Sequence, residues 1–156
     1  MNPSLARSAG LGFVSGLRTF QGLAWLAREG LPGPDQGHSP VPEQWLARPI
    51  VARGLGFLAA GELAGDKIPG VPDRVAFPGI VGRVLAGAVA GAVAARPGSK
   101  ALGAAVGAAS ATAGAYAGWF LRRELGRARL VPDFALAVME DAVAVGLARR
   151  LARIRG

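Results

Sequence analysis

Cysteine is absent from the 156-residue chain, and histidine occurs once, at His38. Disulfides and cysteine-ligated metals are therefore excluded, and no pair of histidines exists to hold an ion. Charge is scarce as well, at 18% of residues, against about a quarter in ordinary soluble domains. Nor is there a G-x-S-x-G elbow or a phosphate-cradling P-loop. Without a nucleophile, a phosphate cradle or a metal-ligand spacing, the chain does not read as an enzyme, and no cofactor or metal is expected.

What remains is apolar, at 51% of residues, and it comes in blocks of Ala, Gly, Val and Leu. Ser8 to Ala27 is twenty residues with one charge, Arg18; Gly79 to Ala95 is seventeen with one, Arg83; Ala101 to Leu121 is twenty-one with none. A helix needs about 20 mostly apolar residues to cross the hydrocarbon of a bilayer. The third block meets that length outright, and the first does so with one polar fault. Two shorter apolar segments, Ile50 to Gly65 and Phe134 to Ala148, carry Glu62 and the pair Glu140 and Asp141. The competing reading is a soluble Ala/Gly-rich bundle. The block lengths favour an all-α, multi-pass transmembrane bundle of about five hydrophobic segments, the second and fifth short or broken.

This is one domain, residues 1–156, punctuated by a Pro/Gly-rich loop at 29–49 and a Pro-rich loop at 67–78. Within the first loop, PEQWLA reads as one interfacial turn. RPGSK, Arg96 to Lys100, is a tight turn, and Arg122 to Arg129 reads as a basic loop. Trp25, Trp45 and Trp119 fall near segment ends, as in an aromatic belt. The net charge of +8 would suggest nucleic acid in a soluble protein. Here the arginines flank apolar blocks, so membrane lipids are the expected partners and nucleic acid is not. The expected location is the cell (inner) membrane.

Glycines stand four apart at Gly12 and Gly16, Gly87 and Gly91, Gly103 and Gly107, and Gly114 and Gly118. That spacing lets helix backbones approach closely, within one chain or between the chains of a homo-oligomer. Gly12, Ser15, Arg28 and Glu29 also align with Gly107, Ser110, Arg123 and Glu124 on a common offset, a pattern consistent with an inverted repeat. Counted as five spans, the loops place eight Lys and Arg residues on one side and nine on the other. Orientation is therefore undecided.

A charge deep in a bilayer costs at least ~2.5 to 3.5 kcal/mol, so it needs a partner or water. Arg18 lies halfway along the first block, and Glu140 and Asp141 midway along the fifth. Glu62 and Asp66 are four apart and share a helix face if the helix continues that far. These five are the candidate ion- or substrate-binding residues, with Arg18 facing one or more of the carboxylates. Two readings stay open: a packing lock, or a polar cavity handling an ion, a proton or a small solute. Lys67, Asp73 and Arg74 read as loop or structural residues.

The combination of GFVSGLRTF, GELAGDKIPGVPDR, GRVLAGAVAGA and MEDAVAVG resembles the bacterial membrane proteins of domain of unknown function 4126, from about Leu11 to Leu151. The resemblance implies a small multi-pass inner-membrane protein with no established activity, so no catalytic residue carries over. Its motifs coincide with Arg18, Asp66, Lys67, Asp73, Arg74, Glu140 and Asp141.

Overall fold

The computed structural model describes residues 2–31, 41–65, 77–128 and 132–154. Asp66, Lys67, Asp73, Arg74 and His38, all singled out above, lie outside them. The described residues form helices and no strand: α1 (Pro3–Leu17), α2 (Gln21–Trp25) running into a π-helical turn (Leu26–Gly30), α3 (Val41–Leu46), α4 (Pro49–Gly65), α5 (Gly79–Ala94), α6 (Lys100–Ala128) and α7 (Asp133–Arg153). Four of the five apolar segments become single helices, α4 and α5 close to the expected limits while α6 runs seven residues past Leu121 and α7 five past Ala148, and PEQWLA falls in α3 and the turn after it.

The first block does not. Its helix stops at Leu17, Arg18 is extended (φ −141°, ψ 113°), and the chain turns back on itself. A Cβ on Gly22 would lie 2.8 Å from Ser15 Oγ and 3.1 Å from Leu11 O. A continuous helix would hold Gly22 and Leu11 roughly 16 Å apart at 1.5 Å per residue. Both ends of this helical hairpin return to the last turn of α7. Arg7 donates to Leu151 O (2.9 Å) and Ala152 O (3.1 Å) at one end, and Glu29 pairs with Arg153 at the other. The broken segment is thus the first, while α4 and α7 run without interruption. The aligned segment in α6 is also unbroken, for 29 residues, so the two halves are not equivalent in shape.

The glycine pairs build the centre within the chain. A Cβ on Gly12 would come 2.7 Å from Gly107 Cα, one on Gly16 2.7 Å from Ala115 N, and one on Gly91 2.9 Å from Gly107 Cα. Backbones of α1, α5 and α6 therefore touch directly, as the four-residue spacing allows. Ser8 Oγ, wholly buried, donates to Ser4 O at 3.0 Å and to Gly91 O at 2.8 Å, tying α1 to α5. The RPGSK turn is as expected: Gly98 takes φ +86°, and Ser99 N–H donates to Arg96 O at 3.0 Å.

Two expectations need correction. Arg122 to Arg129 is not a loop in its described part, because α6 continues to Ala128. Arg, Leu and Glu are good helix formers, and the Glu124–Arg127 pair (3.1 Å) supports that turn. Nor is any helix among the described residues long and apolar enough to cross a membrane. Helices α1, α4 and α5 have 15, 17 and 16 residues, roughly 22 to 26 Å against about 30 Å of hydrocarbon. Helix α6 has the length, but its Ala, Gly, Ser and Thr dilute its hydropathy. Helix α7 carries Glu140, Asp141 and three arginines.

Candidate functional site

The hairpin apex concentrates the buried charge. Breaking a helix at Leu17 strands carbonyls at the end of α1 and amides before α2. Arg83, from the first turns of α5, donates to Gly16 O and Leu17 O, both at 2.8 Å. Glu62, near the end of α4, takes the amides: Thr19 N–H reaches Oε1 at 2.8 Å and Phe20 N–H reaches Oε2 at 3.1 Å. The Thr19 hydroxyl adds a third bond to Oε1 at 2.9 Å. A cation therefore caps a helix C-terminus and an anion the amide end, matching the peptide dipoles. Arg83 and Glu62 are 3.4 Å apart, with side chains 7% and 11% exposed.

Arg18 forms the apex itself. It is the largest wholly buried side chain in the described chain, and its guanidinium pairs with Asp141 of α7. One residue away, Glu140 turns to a different partner, accepting from Arg122 Nε of α6 at 2.9 Å. The two adjacent carboxylates point about 100° apart on α7 and lock it to α1 and α6 separately.

Four of the five candidate binding residues, Arg18, Glu62, Glu140 and Asp141, thus join buried or half-buried ion pairs; Asp66 lies outside the described residues. Arg18 does face a carboxylate, as expected. The sequence reading missed Arg83, Arg122 and Thr19 as members of the site. Arg83 had left a signal, being the only charge in its apolar block. Arg122 had none, since it resembles any arginine flanking a hydrophobic segment.

A second charged group marks the opposite, basal end of the hairpin. Glu29 pairs with Arg153 and lies 3.8 Å from Arg149. The hydrogen bond from Arg153 holds its carboxyl below the ordinary glutamate range, aided by the positive charges of Arg153, Arg149 and Arg28 and opposed by desolvation. Because the folded-state value is the lower one, Glu29 contributes stability above its unfolded value and loses it as pH falls through the folded value. Melting curves from about pH 6 to pH 3 are expected to show a small acid-side loss in the wild type that Glu29→Gln lacks. Parallel curves for the two proteins would refute this.

The family model of domain of unknown function (DUF4126) matches residues 5–150. No curated protein and no solved structure matches the chain.

Proposed function

Because the chain belongs to the DUF4126 family, its functional reading comes from its own residues, and we propose a membrane-embedded protein for ion- or proton-linked movement of a small solute. The observation that carries this reading is an inverted distribution of polarity. Arg18, Arg83, Arg7, Gln21, Ser8 and Ser15 are buried, whereas Phe77 (82%), Phe57 (79%), Ile50 (74%) and Phe134 (67%) are exposed. In water such an arrangement exposes the oily side chains and desolvates the charges. In a bilayer the apolar exterior meets acyl chains, and the buried charges occupy the protected interior. Short helices are accommodated there by local thinning of the bilayer and by snorkelling of flanking arginines.

A re-entrant hairpin with a charged apex supports the transport reading. Irregular backbone at membrane depth is tolerated only where protein or a water-filled cavity surrounds it, and broken helices are common at transporter sites. The three tryptophans each carry a guanidinium over the ring: Arg28 over Trp25 (5.8 Å), Arg48 over Trp45 (5.3 Å) and Arg123 over Trp119 (5.1 Å). That pairing suits the headgroup layer of a cell (inner) membrane. Folding the first block back also revises the charge count. Among the described residues, Arg7, Arg28, Arg48, Arg53, Arg96, Lys100, Arg149, Arg150 and Arg153 gather at the basal end, opposite Arg122, Arg123 and Arg127. The basal end is then the cytoplasmic one.

The saturation of Glu62, Asp141 and Glu140 by arginines favours a second reading, in which these pairs only lock the helices and the apolar exterior serves association. Flux in proteoliposomes under a proton or cation gradient separates the two. Under the transport reading, Glu62→Gln and Asp141→Asn reduce flux at least about tenfold, as expected for losing a site group, while retaining a folded, inserted protein. Wild-type protein without flux for protons, common ions or small organic solutes would overturn that reading and leave the lock.

A further inference from the structure

Between the returning arm of the hairpin and α4 lies a cleft of about 490 Å³, within the range of small-molecule sites, about 300 to 1,000 Å³. One wall presents Gln21, Trp25 and Arg28, spaced three to four residues apart on a single helical face. Arg53, Gly56 and Leu63 of α4 line the other, interspersed with alanines. Gly12, Gly91 and Gly107 mark direct backbone contact among α1, α5 and α6, but a Cβ on Gly56 would meet nothing within 4 Å. Here the walls stand apart.

Polarity in the cleft is graded along its length. Arg28 and Arg53 lie at the basal end, while Gln21 and Leu63 lie next to Phe20 and Glu62 at the apex. Arg149 of α7 also sits over the Trp25 ring at 5.5 Å. The acid of the returning arm, Glu29, is already taken by Arg153 and Arg149. No ion pair to Arg53 occurs among the described residues, so the chain described leaves this basic mouth a net positive field.

We infer that the cleft binds an amphiphile with an anionic head and an apolar chain, its head between Arg28 and Arg53 and its chain along the alanine-lined walls toward Gln21. A basic pocket between helices at headgroup depth is suited to an anionic lipid head, and the same chemistry would hold a free fatty acid. The assignment does not depend on whether the apex carries flux.

Trp25 reports on the cleft directly. In a Trp45→Phe, Trp119→Phe background it is the sole tryptophan. Detergent-solubilised protein would be titrated with dibrominated phosphatidylglycerol, dibrominated phosphatidylcholine or dibromostearate, and quenching followed. Saturable quenching is expected, with phosphatidylcholine weaker than the better anionic probe by about tenfold. Arg53→Gln, which leaves the Trp25 ring contacts intact, is expected to narrow that gap to about threefold without changing the melting temperature. Saturation by phosphatidylglycerol alone identifies a bilayer lipid, and saturation by dibromostearate alone identifies a free fatty acid. Equal quenching by the zwitterionic and anionic probes, non-saturable quenching, or an unchanged gap in folded Arg53→Gln would overturn the assignment.

Discussion

Gly107→Ala is expected to cost more than about 3 kcal/mol, beyond the usual 1 to 3 kcal/mol for overpacking a core. The reason is what the added methyl meets. A Cβ at Gly107 would overlap Gly87 O, and it would lie 2.9 Å from Gly91 Cα and 3.1 Å from Gly87 C. Each of these is backbone, so no side chain can rotate out of the way. Helices α5 and α6 must separate, and α1, seated on the same glycine through Gly12, must move with them. Gly146→Ala supplies the control. It also adds a methyl to a helical glycine, but nothing lies within 4 Å, so helix propensity alone makes it stabilising by up to about 1 kcal/mol. Melting in mild detergent distinguishes the outcomes. A Gly107→Ala protein that melts with the wild type would show that the three helices are not held at backbone contact.

The second large effect belongs to the Arg18–Asp141 pair. Removing one partner of a buried pair leaves an uncompensated charge, which costs about 3 to 5 kcal/mol. Arg18 is wholly buried and the Asp141 side chain is 14% exposed, so Asp141→Leu, which takes the α7 carboxylate from the buried guanidinium, is expected within that range. Arg18→Met is expected to cost less, because the carboxylate it leaves keeps some exposure whereas the guanidinium has none. The double variant Arg18→Met with Asp141→Leu is expected to recover most of the loss, since apolar groups of similar volume often replace a buried pair at little cost. The sum of the single effects should therefore exceed the double effect by at least about 2 kcal/mol. Additive losses would mean that the pair carries no coupling and that Arg18 is held by other groups.

These two predictions concern different layers of one structure. The glycines set how closely α1, α5 and α6 pack. The charges then decide where the chain breaks and how α4 and α7 attach around the break. Arg83 is the link between the layers: it rises from α5, whose glycines join the backbone contacts, and it caps the carbonyls of α1 at the apex. Beside this site a cleft leads from Gln21 and Leu63 toward the basal Arg28 and Arg53.

Much of this was open to reading from composition and spacing. Blocks of Ala, Gly, Val and Leu bounded by Pro specify helices because proline cannot continue them, and the limits of α4 and α5 and the start of α7 follow. Glycines four apart specify close helix contact because they share one face. An arginine and a carboxylate pair deep in apolar segments require partners because isolated charge is costly there, and Arg18 does find Asp141. The fold-back at Arg18 was not readable: nothing in GLRTFQG breaks a helix as Pro would. The break exists because Arg83 and Glu62, distant in sequence, satisfy the carbonyls and amides it frees. For the same reason tertiary structure alone decided that the first apolar block is a hairpin, that Glu140 and Asp141 serve different helices, and that a cleft opens beside α4. Local sequence sets what each segment prefers, whereas unpaired backbone groups and buried charges are settled by whichever distant side chains reach them.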